Sequence, residues 1–134
     1  MNINNPVLLL RRVKTLLSIA SVTFLIVGIA LLTTCVATLI TTSVLSITTI
    51  LNYELSDIPR LIYLMLSGTI SIYGYVELND VSSAIDNGRF DNLKESLLIW
   101  GILGLVFGLV LPGIILLIIL LRYYDILIKV TTVI

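Results

Sequence analysis

The sequence predicts an all-α, polytopic membrane protein with four transmembrane helices, and three observations carry that expectation. Residues 15–51 run without a charge or a proline. The stretch Trp100–Leu121 is likewise uncharged, and some twenty apolar residues are what a helix needs to cross roughly 30 Å of hydrocarbon. Charged residues make up 12% of the chain, about half the usual share of a soluble domain, and the mean hydropathy is +1.14. At 134 residues the natural expectation is one membrane domain.

Charge and composition exclude several function classes. Eight Lys/Arg balance eight Asp/Glu, and the one basic cluster, Arg11, Arg12 and Lys14, directly precedes an apolar run. No nucleic-acid partner is expected, because phosphate binding needs a basic surface; the cluster reads as a topology signal. With no His and one Cys, an intrachain disulfide and a His- or Cys-based metal centre are excluded. No Gly-x-Ser-x-Gly, phosphate loop or paired intramembrane Asp is present, so neither an enzyme nor a cofactor is expected.

Asn5-Pro6 offers a cap followed by a proline at the first helical position. The arginines after it snorkel to the membrane interface. Thr15–Leu51 would be about 55 Å of helix at 1.5 Å per residue, too long for one crossing. It reads as two spans, about 15–33 and 35–52, with a tight turn at Leu32–Cys35, although no Gly, Pro or Asn marks that turn. The other spans fall at about 60–78 and 97–121. Four spans put six Lys/Arg on one side (Arg11, Arg12, Lys14, Arg60, Arg122 and Lys129) and two, Arg89 and Lys94, on the other. A single long first helix gives three spans and a five-to-three split. The positive-inside rule favours the former, with N- and C-termini cytoplasmic. The first segment reads as a signal anchor rather than a cleaved leader, since Thr34 is not the small residue usual before a lipoprotein cysteine.

The second span gathers Thr34, Thr38, Thr41, Thr42 and Thr49 on one side, a candidate polar path with Glu77 near one mouth; the competing reading is that these hydroxyls bond their own i−4 carbonyls. Asn52–Ile58 is a polar connector, and Pro59 opens the next helix. On the third span Ser67, Gly68, Ser71 and Gly74 form a small-residue surface, with Ser67, Ser71 and Gly74 spaced to share a face. Asn79–Ser96 reads as a polar hairpin loop: Asp80 caps a short helical extension, Gly88 takes the left-handed position after it, and Asp91 caps the start of the last span. Asp86, Asp91 and Glu95 lack the ordered ligand spacing of a calcium loop. The last span carries Gly104-x-x-x-Gly108, a small-xxx-small motif, with Gly101 preceding it. The Ser67/Ser71/Gly74 face is its expected mate, and Pro112 is expected to bend it.

From Ala84 to Leu121 the chain has a Gly after a polar helix (Gly88), a Lys before a Ser (Lys94, Ser96) and an Ile/Gly-rich span. This resembles a recurrent hairpin of small prokaryotic membrane proteins of unknown function. It is also distantly similar to the loop and span of the dispanin superfamily. The resemblance implies a cytoplasmic loop, whereas the four-span charge count places it outside, and it implies no functional residues.

The expected function is that of a non-catalytic structural or accessory subunit. Its partners would be the lipid bilayer together with other membrane subunits or copies of itself. The alternative is a small channel, transporter or holin-like pore former that uses the Thr/Ser face.

Overall fold

The structure is a computed structural model that describes residues 6–48, 57–89, 92–107 and 109–131. Helix α1 spans Pro6–Thr48, α2 Asp57–Asp86, α3 Leu93–Val106 and α4 Val110–Ile118. A π-helical turn, Ile119–Tyr123, carries α4 into α5, Tyr124–Thr131. No strand occurs among the described residues. Two segments, Val7–Val44 and Ile58–Asp86, are long and apolar enough to cross a membrane.

Two of the expected spans prove to be one helix. α1 continues unbroken for 43 residues, so the turn at Leu32–Cys35 is absent and 15–33 and 35–48 belong together, as in the three-span alternative. The missing turn residues explain this. Instead of opening the backbone, Thr33 and Thr34 donate their hydroxyls to the carbonyls of Ile29 and Ala30, 2.7 and 2.8 Å away. That is the local bond a threonine makes inside a helix.

The expected span 97–121 proves to be two helices. The chain leaves the helix at Phe107, folds back, and re-enters helix at Val110. α3 and α4 then lie antiparallel, with Gly101 and Gly104 against Leu117 and Gly113. Pro112 does not kink a long helix, because it occupies the third position of α4. There its missing N–H falls among the donors that have no intrahelical partner.

α2 contains the expected span 60–78 but runs on to Asp86, so Asp80 lies inside the helix and caps nothing. The end of α2 does follow the sequence. Gly88 has φ +68°; Arg89 N–H donates to Ala84 O at 2.9 Å and Gly88 N–H to Ile85 O at 3.1 Å. These are the two bonds of a Schellman cap. Asp57 and Ile58, expected in the connector, already belong to α2, so Pro59 is its third residue rather than its start. Asn5, Asp91 and connector residues 52–56 lie outside the described residues.

The core has heptad spacing. On α2 the buried positions Ser67, Ser71, Gly74, Leu78, Val81 and Ile85 alternate steps of four and three, with Gly68 buried beside Ser67. On α3 Leu93, Leu97, Trp100 and Gly104 continue this spacing, with Gly101 buried beside Trp100. This is the 3.5-residue period of helices that cross at a shallow angle. α1 buries Val13, Leu17, Ala20 and Phe24 against them. Large apolar side chains, such as Ile26, Ile40, Met65, Val106 and Leu111, point outward instead.

Candidate functional site

The α1–α2 seam is a ladder with a rung every seven residues of α1. Lys14 Nζ lies 2.6 Å from Asp86 Oδ1. Ser21 Oγ donates to Asn79 Oδ1 at 3.0 Å. Gly28 packs on Gly68, Ser71 and Ile72. The buried Cys35 Sγ donates to Leu61 O at 3.8 Å, which makes it a packing residue with a weak donor. Polar or small residues at 14, 21, 28 and 35 are therefore the seam. Sequence reasoning missed Gly28, although that seven-residue recurrence could have found it.

The small residues expected to join the third and last spans are buried, but they meet other partners. Ser71 lies beside Gly28, and its hydroxyl bonds Ser67 O at 2.7 Å. Ser67 is fully buried with no hydrogen-bond partner for its Oγ. A Cβ built on Gly74 would meet the Trp100 ring at 3.1 Å and Phe24 at 3.2 Å. Trp100 thus locks α3 onto α1 and α2, edge-on to Phe24 with ring centroids 6.2 Å apart and 5.9 Å from Tyr73. Gly101 and Gly104 face α4 rather than α2, and Gly108 lies outside the described residues. The mate of the last glycines is the next turn of their own segment.

The candidate polar path does not come together. Thr34, Thr38, Thr41 and Thr42 share a shallow groove with Ala30, Thr33 and Ala37, but each hydroxyl donates to the carbonyl four residues back, at 2.6–2.8 Å. Glu77 is two residues from Asn79, at the level of Ser21, and 13 residues of α1 separate Ser21 from Thr34. That is about 20 Å at 1.5 Å per residue. Thr49 lies outside the described residues.

Charge is gathered at one end of the bundle. The Lys14–Asp86 pair fixes the start of α1 beside the end of α2. Lys94 Nζ sits 5.7 Å from the Tyr124 ring centroid, which brings the start of α3 and the end of the π turn to the same level. Between α2 and α3 at this end opens a polar cleft of about 520 Å³ that includes Asp80, Asn87, Arg89, Asn92 and Ser96. Its groups suit water or polar headgroups. It pairs no nucleophile with a base, and among the described residues no three His, Cys, Asp or Glu side chains converge to hold a metal.

Comparison with protein-family models, with curated proteins and with solved structures yields no match.

Proposed function

We propose that this chain is a non-catalytic integral membrane protein that serves as a structural or accessory subunit of a membrane assembly. One observation carries the reading: large apolar side chains cover the outside of the bundle as well as its core. Leu17, Phe24, Leu78 and Leu97 are buried beside small Gly, Ser and Ala contacts, while Ile26, Ile40, Met65, Val106 and Leu111 face outward, each more than half exposed. A water-soluble fold hides such a continuous apolar surface. In lipid it costs nothing, and close packing of small residues drives association instead.

The glycine and serine faces of α2 and α3 are used within the chain. The Ala30–Thr42 groove is the small-residue surface left for another subunit or copy. A conducting path along the same groove has less support, since its hydroxyls are already donated to their own helix.

The test is fractionation followed by sizing. The reading expects the protein to stay in the pellet through an alkaline carbonate wash, and to elute from mild detergent in a complex larger than one chain. Release into the wash refutes membrane insertion. A monomer that Ala37→Cys cross-linking cannot trap refutes the subunit role.

A further inference from the structure

We propose that α3 and α4 form a wedge that enters and leaves the bilayer through the same face, so that the start of α1, the α2–α3 turn and α5 share one side. This rests on the membrane reading above. Length comes first. Between Glu95 and the Phe107 turn, and again between Val110 and Arg122, each arm offers about twelve uncharged residues, about 18 Å of helix against roughly 30 Å of hydrocarbon. Neither arm crosses alone.

The turn itself is apolar. Phe107 stacks on Tyr63 with centroids 6.4 Å apart, one helical turn short of Arg60, and the flanking Val106 and Leu111 are 66% and 70% exposed. A turn that lay in water would carry polar side chains, as the α2–α3 turn does at Asn87, Arg89 and Asn92. Non-helical backbone inside lipid must find its bonds within the protein, and three N–H groups at this turn do so. Phe107 N–H donates to Leu103 O (3.0 Å), Leu109 N–H to Gly104 O (2.7 Å) and Gly113 N–H to Leu109 O (3.0 Å), while Pro112 brings no donor.

The cations agree. Arg11, Arg12 and Lys14 open α1, Arg89 and Lys94 flank the α2–α3 turn, and Arg122 and Lys129 follow α4, all at the charged end. Arg60 alone belongs to the far end. The split is seven to one, sharper than the six-to-two of four full-length spans, and the positive-inside rule makes the charged end cytoplasmic. Its partner is therefore the headgroup layer of the cytoplasmic leaflet.

Single-cysteine reporters in a Cys35→Ser background test this with a membrane-impermeant maleimide on intact and permeabilised cells. Asn87→Cys and Lys129→Cys are expected to label only after permeabilisation, and Asn52→Cys on intact cells. Leu111→Cys is expected to resist labelling in both until detergent is added. Asn87→Cys and Lys129→Cys labelling from opposite faces, or Leu111→Cys labelling from outside, overturns the wedge. Loss of the unmodified chain to a carbonate wash overturns the membrane reading instead, so the two failures are told apart.

Discussion

The α1–α2 pair and the α3–α4 pair are both antiparallel hairpins closed by glycine, yet glycine has a different neighbour in each. A Cβ on Gly68 would meet Leu32 Cγ and Cδ2 at 2.7 and 2.8 Å, and one on Gly28 would meet Ile72 Cγ1 at 2.9 Å. A Cβ on Gly104 would meet Gly113 Cα at 3.0 Å and its N at 3.1 Å, and one on Gly113 would meet Gly101 O at 2.9 Å. The long pair is mainly a seam of side chains, tied at intervals by Lys14–Asp86 and Ser21–Asn79, with backbone in reach only where a Cβ on Gly28 or Gly68 would meet the other's carbonyl oxygen at 3.2 or 3.3 Å. The short pair is backbone against backbone. A side-chain seam can repack around an added methyl group; a backbone contact yields only if a helix moves.

The sharpest way to break this comparison is to enlarge Gly104 or Gly113. Either residue changed to Leu is expected to part α3 from α4 and leave little folded protein. Changing either to Ala is expected to cost at least the roughly 1–3 kcal/mol typical of overpacking, because no rotamer change relieves the contact. The chain has one tryptophan, and Trp100 lies in the joint between Phe24, Tyr73 and Gly74. Its fluorescence during denaturant titration in detergent reports the loss directly. Wild-type midpoints in Gly104→Ala and Gly113→Ala would show that the hairpin is looser than its geometry.

Much of this architecture was legible in the sequence, and the rest was hidden for one physical reason. Helix content, the Gly88 cap and the apolar character of the long segments all follow from composition and local chemistry. Which face is buried does not, because hydrophobicity is nearly uniform around α1, α2 and α3 and the usual apolar stripe carries little contrast there. In such a chain the signal is residue size. Ser67, Ser71 and Gly74 were readable on that basis, and Gly28 would have been, had positions 14, 21, 28 and 35 been read as one series. The Phe107–Leu109 fold-back was harder. A stretch of about twenty apolar residues reads as one crossing, and the pairing of Gly104 with Gly113, nine residues later, shows only once the chain is folded.

A finer cut through the same comparison lies within the long pair. Gly68→Ala pushes chiefly on Leu32 Cγ and Cδ2, a partly exposed side chain that can rotate away, and more lightly on Gly28 O at 3.3 Å. Gly28→Ala pushes on Ile72, on Ser71 Cβ at 3.1 Å and on Gly68 O at 3.2 Å, two of which cannot turn aside. Gly28→Ala is expected to cost about 1–3 kcal/mol, in the overpacking range, and Gly68→Ala visibly less, both read as shifts in the same titration. Equal shifts would mean that Leu32 is as fixed as the backbone.

The smallest effect is expected where the sequence placed its candidate path. Changing Thr38, Thr41 and Thr42 together to Val removes three hydroxyls that donate to Thr34 O, Ala37 O and Thr38 O of the same helix. Those carbonyls already accept the helix's own N–H groups, so no buried partner is stranded, which is the usual source of a large penalty. Valine keeps the branched shape and loses only the i−4 bond, itself neutral to mildly unfavourable within a helix. The triple variant should unfold within about 0.5 kcal/mol of the parent, the range of substitutions away from any special feature. Its size in mild detergent should also be unchanged, because shape rather than hydroxyl chemistry would be what a neighbouring subunit reads on the Ala30–Thr42 groove. A triple variant that folds normally yet falls from a complex to a monomer would show that these threonines bond across an interface, and would move them from one helix's own carbonyls to the assembly itself.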